Sequence, residues 1–291
     1  MEATVTKLEI GCDWLTATWK RDSSMSGQHI EDALAFEQSM FENGHMQEIA
    51  HWQGYYGRKT GSFFVGERKD DYCVKVSGSP SASAFTRLYR SDMHVSRLDL
   101  SVTAWLSPHQ PDIGRDANSA ARLAKLAGKV KHPAKITHVE GDDGGYTLYI
   151  GKRSSRIFAR LYNKEVESDD AYYEGAWRYE CELHNATATE TAQELVYSVF
   201  PLEEAICSAV WAFWYSKGVK PVFATFPTGM EIVLPRREET TIERSLRWLE
   251  TQVRPTVAKL IALGYTSSVL DALGLPGADF GHTDKEVSNG R

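Results

Sequence analysis

The sequence predicts an α+β fold: a central, largely antiparallel sheet with flanking helices, followed by a C-terminal helical region. Three observations carry this. β-rich runs with period-two alternation recur between residues 4 and 184, several joined by short glycine- and charge-bearing turns that suit antiparallel hairpins. Segments of helical spacing separate groups of these runs. Two hairpin-like stretches also echo one another, which suggests a duplicated α+β unit.

In chain order, residues 4–20 (TVTKLEIGCDWLTATWK) alternate as an opening strand pair or one bent strand. Over 29–48, Ala33, Leu34, Phe36, Met40 and Phe41 fall at near-helical spacing. Residues 51–78 read as a hairpin about the turn former GERKDD. Ser79-Pro80 opens a short helix over 80–92, because proline suits a first helical turn. SRLDLSVTAW (96–105) is a strand with Leu98, Leu100 and Val102 inward and Arg97, Asp99, Ser101 and Thr103 on the other face. A basic amphipathic helix is expected at 115–131, then strands at 135–139, 145–151, 156–164 and 177–184.

Thr187 with Glu190 makes a capping box for a helix running to Phe200, and a second helix spans 201–217 and ends at Gly218. PVFATFPTGMEIVLP (221–235) reads as a late β segment. Thr240 with Glu243 caps a last long helix, which Pro255 should kink or divide. The final residues lack an apolar pattern and read as a loose tail.

The internal echo lies in SFFVGERKDDYCVKVSG and TLYIGKRSSRIFARLYN, each running strand, Gly-charged-Arg turn, strand. Each is later followed by an Arg-x-acid strand, RLD or RYE. A duplicated unit would set Asp99 and Glu180 on related central strands. Chance similarity of two hairpins is the other reading.

At 291 residues the chain can bury a large core, and its net charge of −6 argues against bulk nonspecific binding to polyanions. Nucleic-acid binding would have to come from local basic clusters. The four cysteines are scattered without CxxC spacing and read as small buried thiols. No signal peptide is recognised, and the longest apolar run, 205–215, is far short of a membrane span, so a cytoplasmic protein without membrane contact is expected. GxxxxGK[ST], GxSxG and HExxH are absent, as is any His-x-His pair.

Two constellations carry chemistry. Read as strands, 156–164 places Phe158, Arg160, Tyr162 and Lys164 on one face, and 177–184 places Arg178, Glu180, Glu182 and His184 on one face. Between Lys152 and Lys164 lie Arg153, Arg156 and Arg160 with no acid. Such a stretch would bind a phosphate backbone and help stabilise a phenolate at Tyr162; a solvated basic strand edge is the structural alternative. Asp99 and Glu180 sit mid-strand, each with an arginine two positions earlier. Buried carboxylates need a partner or a metal, so they form salt bridges with Arg97 and Arg178 or a hard-cation site completed by Glu182 and His184. Arg122, Lys125, Lys129, Lys131 and Lys135 form a third, basic cluster, and Trp52, Tyr55 and Tyr56 beside Arg58 and Lys59 offer stacking surfaces.

SRLDLSV, TLYIGKRSSRIFARLYNKEVE and WRYECELH, with DWLTATW and VKVSGSPS, together resemble the replication initiation factor (Rep_trans) family of rolling-circle initiators and related relaxases, over roughly residues 8–215. The resemblance implies a metal-dependent DNA nickase and strand transferase that forms a 5′-phosphotyrosyl intermediate and later rejoins ends. It implies Tyr162 of the Tyr-x-Lys motif as nucleophile, with Lys164 and Arg178 in the catalytic set. Asp99 and Glu180, with Glu182 as a further or substitute ligand, would hold Mg²⁺ or Mn²⁺, and Lys152, Arg153, Arg156 and Arg160 would hold DNA. Glu165 is a candidate donor to the leaving oxygen. Expected partners are single-stranded or melted origin DNA, a host helicase and polymerase, and a second copy of the chain. Residues 1–235 would be the nicking domain, 236–276 a helical region and 277–291 a flexible tail. A noncatalytic DNA-binding regulator and a hydrolytic nuclease are the competing readings.

Overall fold

Twice in succession the chain runs strand, helix, four strands, helix. The computed structural model describes residues 4–41, 47–107, 109–130, 135–168, 170–226, 228–233, 249 and 253–272. The first pass comprises β1 (Thr4–Lys20), α1 (Ser26–Phe41), β2 (Gln47–Trp52), β3 (Tyr55–Thr60), β4 (Phe63–Glu67), β5 (Asp71–Ser77) and α2 (Pro80–Leu88). The second comprises β6 (His94–Ser107), α3 (Ile113–Leu126), β7 (Ile136–Glu140), β8 (Tyr146–Ile150), β9 (Ile157–Asn163), β10 (Ala176–His184) and α5 (Asn185–Tyr197), with the short α4 (Lys164–Ser168) between β9 and β10. α6 (Leu202–Ser216) follows.

All ten strands join one antiparallel sheet in the order β2-β3-β4-β5-β1-β6-β10-β9-β8-β7. The long strands β1 and β6 meet at the centre, and each repeat fans outward from its own long strand. The topology is therefore duplicated, but not in the register of the sequence echo. β1 corresponds to β6, β5 to β10 and β4 to β9, so the hairpin β4–β5 answers to β9–β10 rather than to β8–β9. The echoing glycines do different work. Gly151 turns the chain at φ +94°, whereas Gly66 lies inside β4, where a Cβ would meet the Phe64 ring at 2.5 Å. Asp99 and Glu180 accordingly stand on different strands of one repeat.

One face of the sheet carries the core. Leu98, Leu100 and Val102 of β6 pack with Ala159 and Leu161 of β9 and Cys181 and Leu183 of β10, under residues of α1, α2, α3, α5 and α6. Alanines at the buried helix positions, such as Ala117, Ala121, Ala188 and Ala192, allow the helices to lie close to the strands. The tightest approach is at Gly114 of α3, where a Cβ would collide with the Tyr146 ring and fall 2.9 Å from Trp177 Cζ3. Gly114→Ala should therefore destabilise by about 1–3 kcal/mol through overpacking, more than the roughly 1 kcal/mol alanine gains in helix propensity. A lower urea midpoint at unchanged m-value would show it; a raised midpoint would contradict it.

Several elements differ from the sequence expectation. α1 ends at Phe41, and Gln47 and Glu48 of the expected helix are in β2. The single hairpin over 51–78 is part of a four-strand meander, with an additional turn at Gln53 and Gly54, both at positive φ. Lys164 opens α4 instead of ending a strand. α5 begins at Asn185, capped by His184 without a side-chain bond, and ends at Tyr197 rather than Phe200. Thr187 is buried within α5, so the expected capping box does not form. Residues 221–226 and 228–233 make no strand. Both sheet edges, β2 and β7, are formed elsewhere, and helix side chains serve this segment's backbone: Ser208 donates to Phe226 O at 3.0 Å, and Val233 N donates to Thr191 Oγ1 at 3.1 Å. All four cysteines are free and buried, as expected.

The chain divides into two compact units, 1–235 and 236–291. The second contains α7 (Arg254–Ala262) and α8 (Thr266–Ala272), joined through Gly264 at φ +86°. Pro255 stands in the first turn of α7, and residues 250–252, where an expected longer helix would lead into it, lie outside the described residues. The expected cap at Thr240 and Glu243 and the tail at 277–291 lie outside the described residues. No described helix is long and apolar enough to cross a membrane.

Candidate active site on the open face of the sheet

The pleat that buries Leu98, Leu161 and Cys181 turns their neighbours to the opposite face. Strand register then decides which of those neighbours meet. Across β9 and β10, Arg160 stands opposite Glu180 and Tyr162 opposite Arg178. Across β10 and β6, Glu182 stands opposite Asp99, Glu180 opposite Ser101 and Arg178 opposite Thr103. On β1, Cys12 and Trp14 pair with the consecutive residues Leu100 and Asp99, which leaves Asp13 as the extra residue of a bulge.

Arginines then neutralise this face. Arg97 grips Asp99 with two bonds, at 2.9 and 2.6 Å, and reaches Glu182 at 3.0 Å. Arg160 donates to Glu180 Oε1, and Tyr162 Oη donates to Glu180 Oε2 at 3.3 Å, long for an O–H···O bond. Arg178 donates to Thr103 at 2.7 Å, Asp13 at 2.9 Å and Glu9 at 3.1 Å. The Arg97–Asp99 pair matches the salt-bridge reading of the sequence. The Arg178–Glu180 pair does not form, because the Asp13 bulge and Glu9 take the guanidinium. His184 Nε2 faces Glu182 Oε1 at 3.0 Å.

Asp99, Glu180, Glu182 and Tyr162 are all buried, and the Arg97 and Arg160 side chains, 28% and 30% exposed, lie over them toward solvent. Burial, then repulsion from Glu180, raises the Tyr162 phenol well above its ordinary pKa; Arg178 and Arg160 oppose this without winning. The basic residues thus do not produce the stabilised phenolate the sequence suggested. Lys164, whose Nζ is 5.9 Å from the Tyr162 ring, pairs with Glu167. Burial also pushes Asp99 up to about 7, against Arg97 and with help from Glu180 and Glu182. Burial raises Glu182 too, but His184 and Arg97 outweigh it and hold that carboxyl low.

The donor set suits a hard divalent ion in its chemistry: three carboxylates, with the neighbouring thiols, Cys12 and Cys181, buried in the core. Asp99, opposed by two carboxylates and one arginine, would gain from added positive charge. Among the described residues no three acidic, histidine or cysteine side chains already converge as a ligand cluster, because Arg97 and Arg160 engage the carboxylates.

The residues expected to hold DNA separate into two groups. Lys152, Arg153 and Arg156 are exposed in the turn between β8 and β9, with Arg153 over the Phe158 ring at 5.7 Å. Arg160 is engaged with Glu180. Arg122 and Lys125 lie on the outer side of α3, Lys129 follows it, and Lys131 is outside the described residues. Glu165 accepts from Gly175 N at 3.0 Å. Sequence reading placed Thr103 on this face but missed Asp13 and Glu9, which with it hold Arg178; the only sequence signal for them was the acid in DWLTATW.

A sequence model of the family described as replication initiation factor matches residues 114–273, over half the chain. The chain belongs to the replication initiation factor family. The matched span includes β9 and β10, with Tyr162, Arg178, Glu180 and Glu182, and begins after β6, which carries Asp99. Among solved structures the chain is similar to the rolling circle replication initiator protein from Geobacillus stearothermophilus, with TM-score 0.51 and 20% identity, over 78% of this chain and 93% of that one. No curated protein matches it. The likeness in structure shows a shared fold, the α+β architecture with its antiparallel sheet.

Proposed function

We propose that this member of the replication initiation factor family starts rolling-circle replication by nicking one DNA strand through Tyr162. The observation that carries the reading is the Tyr162 hydroxyl against Glu180, flanked by Arg160 and Arg178, on a sheet face that the core helices leave open.

The phenol proton passes to Glu180, and Tyr162 Oη attacks phosphorus. One P–O bond to the 3′-oxygen breaks as the P–O bond to tyrosine forms, and the 3′-oxygen leaves with a proton from water or Glu165. Arg160 and Arg178 lie where charge on the phosphate oxygens builds up. Asp99, Glu180 and Glu182 would hold Mg²⁺ or Mn²⁺, which when bound polarises the scissile phosphate. Because one phosphodiester is exchanged for another, the 3′-hydroxyl can later attack the phosphotyrosine and rejoin the strand without ATP. In the meantime that hydroxyl primes a host polymerase, with a helicase opening the duplex. A second chain copy could supply the second cut of a replication cycle.

The turn cations hold the strand's backbone. Replacing Lys152 and Arg153 with alanine should weaken single-strand binding and reduce the salt slope by roughly 0.7 per lost phosphate contact. Salt titration of oligonucleotide binding measures this, and an unchanged slope would move the contact to Arg122 and its neighbours.

Incubating the protein with end-labelled single-stranded origin DNA and Mn²⁺ tests the function. An SDS-stable adduct is the expected product. Cleavage without adduct would mean a hydrolytic nuclease, and binding with neither would mean a regulator.

A further inference from the structure

We propose that the first repeat's half of the open face is a stacking platform for single-stranded DNA leading to the reaction centre. This deepens the nicking reading by placing the substrate strand, and it rests on that reading.

The duplicated topology shows what the first repeat has lost. Val74 and Val76 of β5 enter the core as Cys181 and Leu183 of β10 do, so Lys75 stands where the second repeat has Glu182, and Cys73 where it has Glu180. Gly66, opposite Cys73, replaces Arg160, and Thr16, opposite Lys75, replaces Asp99. Nothing matches the Tyr162–Glu180 pair at those positions; the tyrosine of this half, Tyr55 on β3, bonds Asp71 at the start of β5 instead.

In its place is an aromatic cluster separate from the main core: Tyr55, Phe64 and Cys73, with Trp52 packed against them. Lys75 Nζ lies 4.5 Å from the centre of the Trp14 ring and 5.9 Å from that of Trp52, and Arg97 lies 4.2 Å from Trp14. Three neighbouring cations are matched: Lys59 pairs with Glu48, Arg68 with Asp71 and Arg21 with Glu67. Lys75 has no carboxylate partner among the described residues, and burial together with Lys59 and Arg97 lowers its pKa. The half-buried Trp14 and Trp52 therefore flank an unmatched cation.

Rings alternating with cations suit a single strand, whose bases stack while its phosphates meet the charge. The track is also continuous with the chemistry, since Arg97 touches both Trp14 and the carboxylates of Asp99 and Glu182. From β6 to β2 the face crosses β1, β5, β4 and β3. At about 4.8 Å per strand step this spans roughly 24 Å, room for several nucleotides.

Anisotropy of a fluorescein-labelled twelve-residue oligo(dT) provides the test. Trp52→Ala should bind about tenfold more weakly, the scale of one lost base stack, while Trp52→Phe retains most of the affinity. Lys75→Gln should reduce the salt slope by roughly 0.7. Urea midpoints near wild type would exclude unfolding as the cause, and Trp52→Phe supplies the comparison if the alanine variant does not fold. Wild-type affinity in a folded Trp52→Ala or Trp52→Leu variant, an unchanged salt slope in Lys75→Gln, or tighter wild-type binding to a duplex of equal length, would overturn the platform. If wild type forms no adduct while the variants still lose oligo(dT) affinity, the nicking reading fails and the platform stands.

Discussion

Tyr162→Phe should abolish the DNA adduct, by a factor on the order of 10⁴ or more, the scale on which loss of a covalent nucleophile acts. Binding and stability should scarcely change. The substitution removes one oxygen, and the bond it loses, to Glu180 at 3.3 Å, is long. A net cost of about 0.5–1.5 kcal/mol is the upper expectation. The raised phenol pKa does not argue against the role. Burial and Glu180 favour the protonated phenol, and in the proposed reaction Glu180 takes that proton with phosphate beside Arg160 and Arg178.

The competitors are less well placed. Tyr149 is the nearest, opposite Arg160 on β8, but its ring stacks on Phe158 at 5.5 Å. Tyr172 is engaged by Lys7 and Glu9, and burial and then Glu9 raise Tyr173. Digesting the wild-type adduct and locating the nucleotide by mass spectrometry decides among them. A nucleotide on Tyr149, Tyr172 or Tyr173, or wild-type adduct yield from Tyr162→Phe, would refute the assignment.

The strands of this site were legible because alternation is a local property. LDLSV and YECEL state which side chains share a face, and those faces are the observed ones. Their partners across strands were not legible, because register depends on long-range pairing. Arg178 shows the difference: its nearest acid in sequence on that face is Glu180, yet it binds Asp13 and Glu9 from a strand more than 160 residues away in sequence. The bulge that delivers Asp13 has no local signature in DWLTATW. Likewise 221–233 is rich in β-branched and aromatic residues, but a strand also needs an edge to join. The duplication was visible only as a faint echo, and the glycines that drew attention to it stand in different places in the two repeats, Gly66 inside β4 and Gly151 in the turn after β8.

Removing the divalent ion should be as damaging as removing the tyrosine. EDTA should stop nicking by wild-type protein, and Asp99→Asn should stop it in excess Mn²⁺, each by on the order of 10³ or more if the ion contributes several kcal/mol at the phosphate. Asp99→Asn is the informative change because it separates the ion's role from the fold. The amide would keep the shape of the carboxylate and would remove one of three buried charges that repel one another, while Arg97 retains Glu182. The unfolding temperature without metal should therefore stay close to wild type. Mn²⁺ should raise that temperature in wild type, because an ion that binds only the folded state stabilises it by mass action, and the rise should be lost in Asp99→Asn. This thermal shift reads the ion independently of DNA. Full nicking in EDTA would sink the metal assignment, and would leave Arg97 and Arg160, already bound to those carboxylates, as the cations that balance the site.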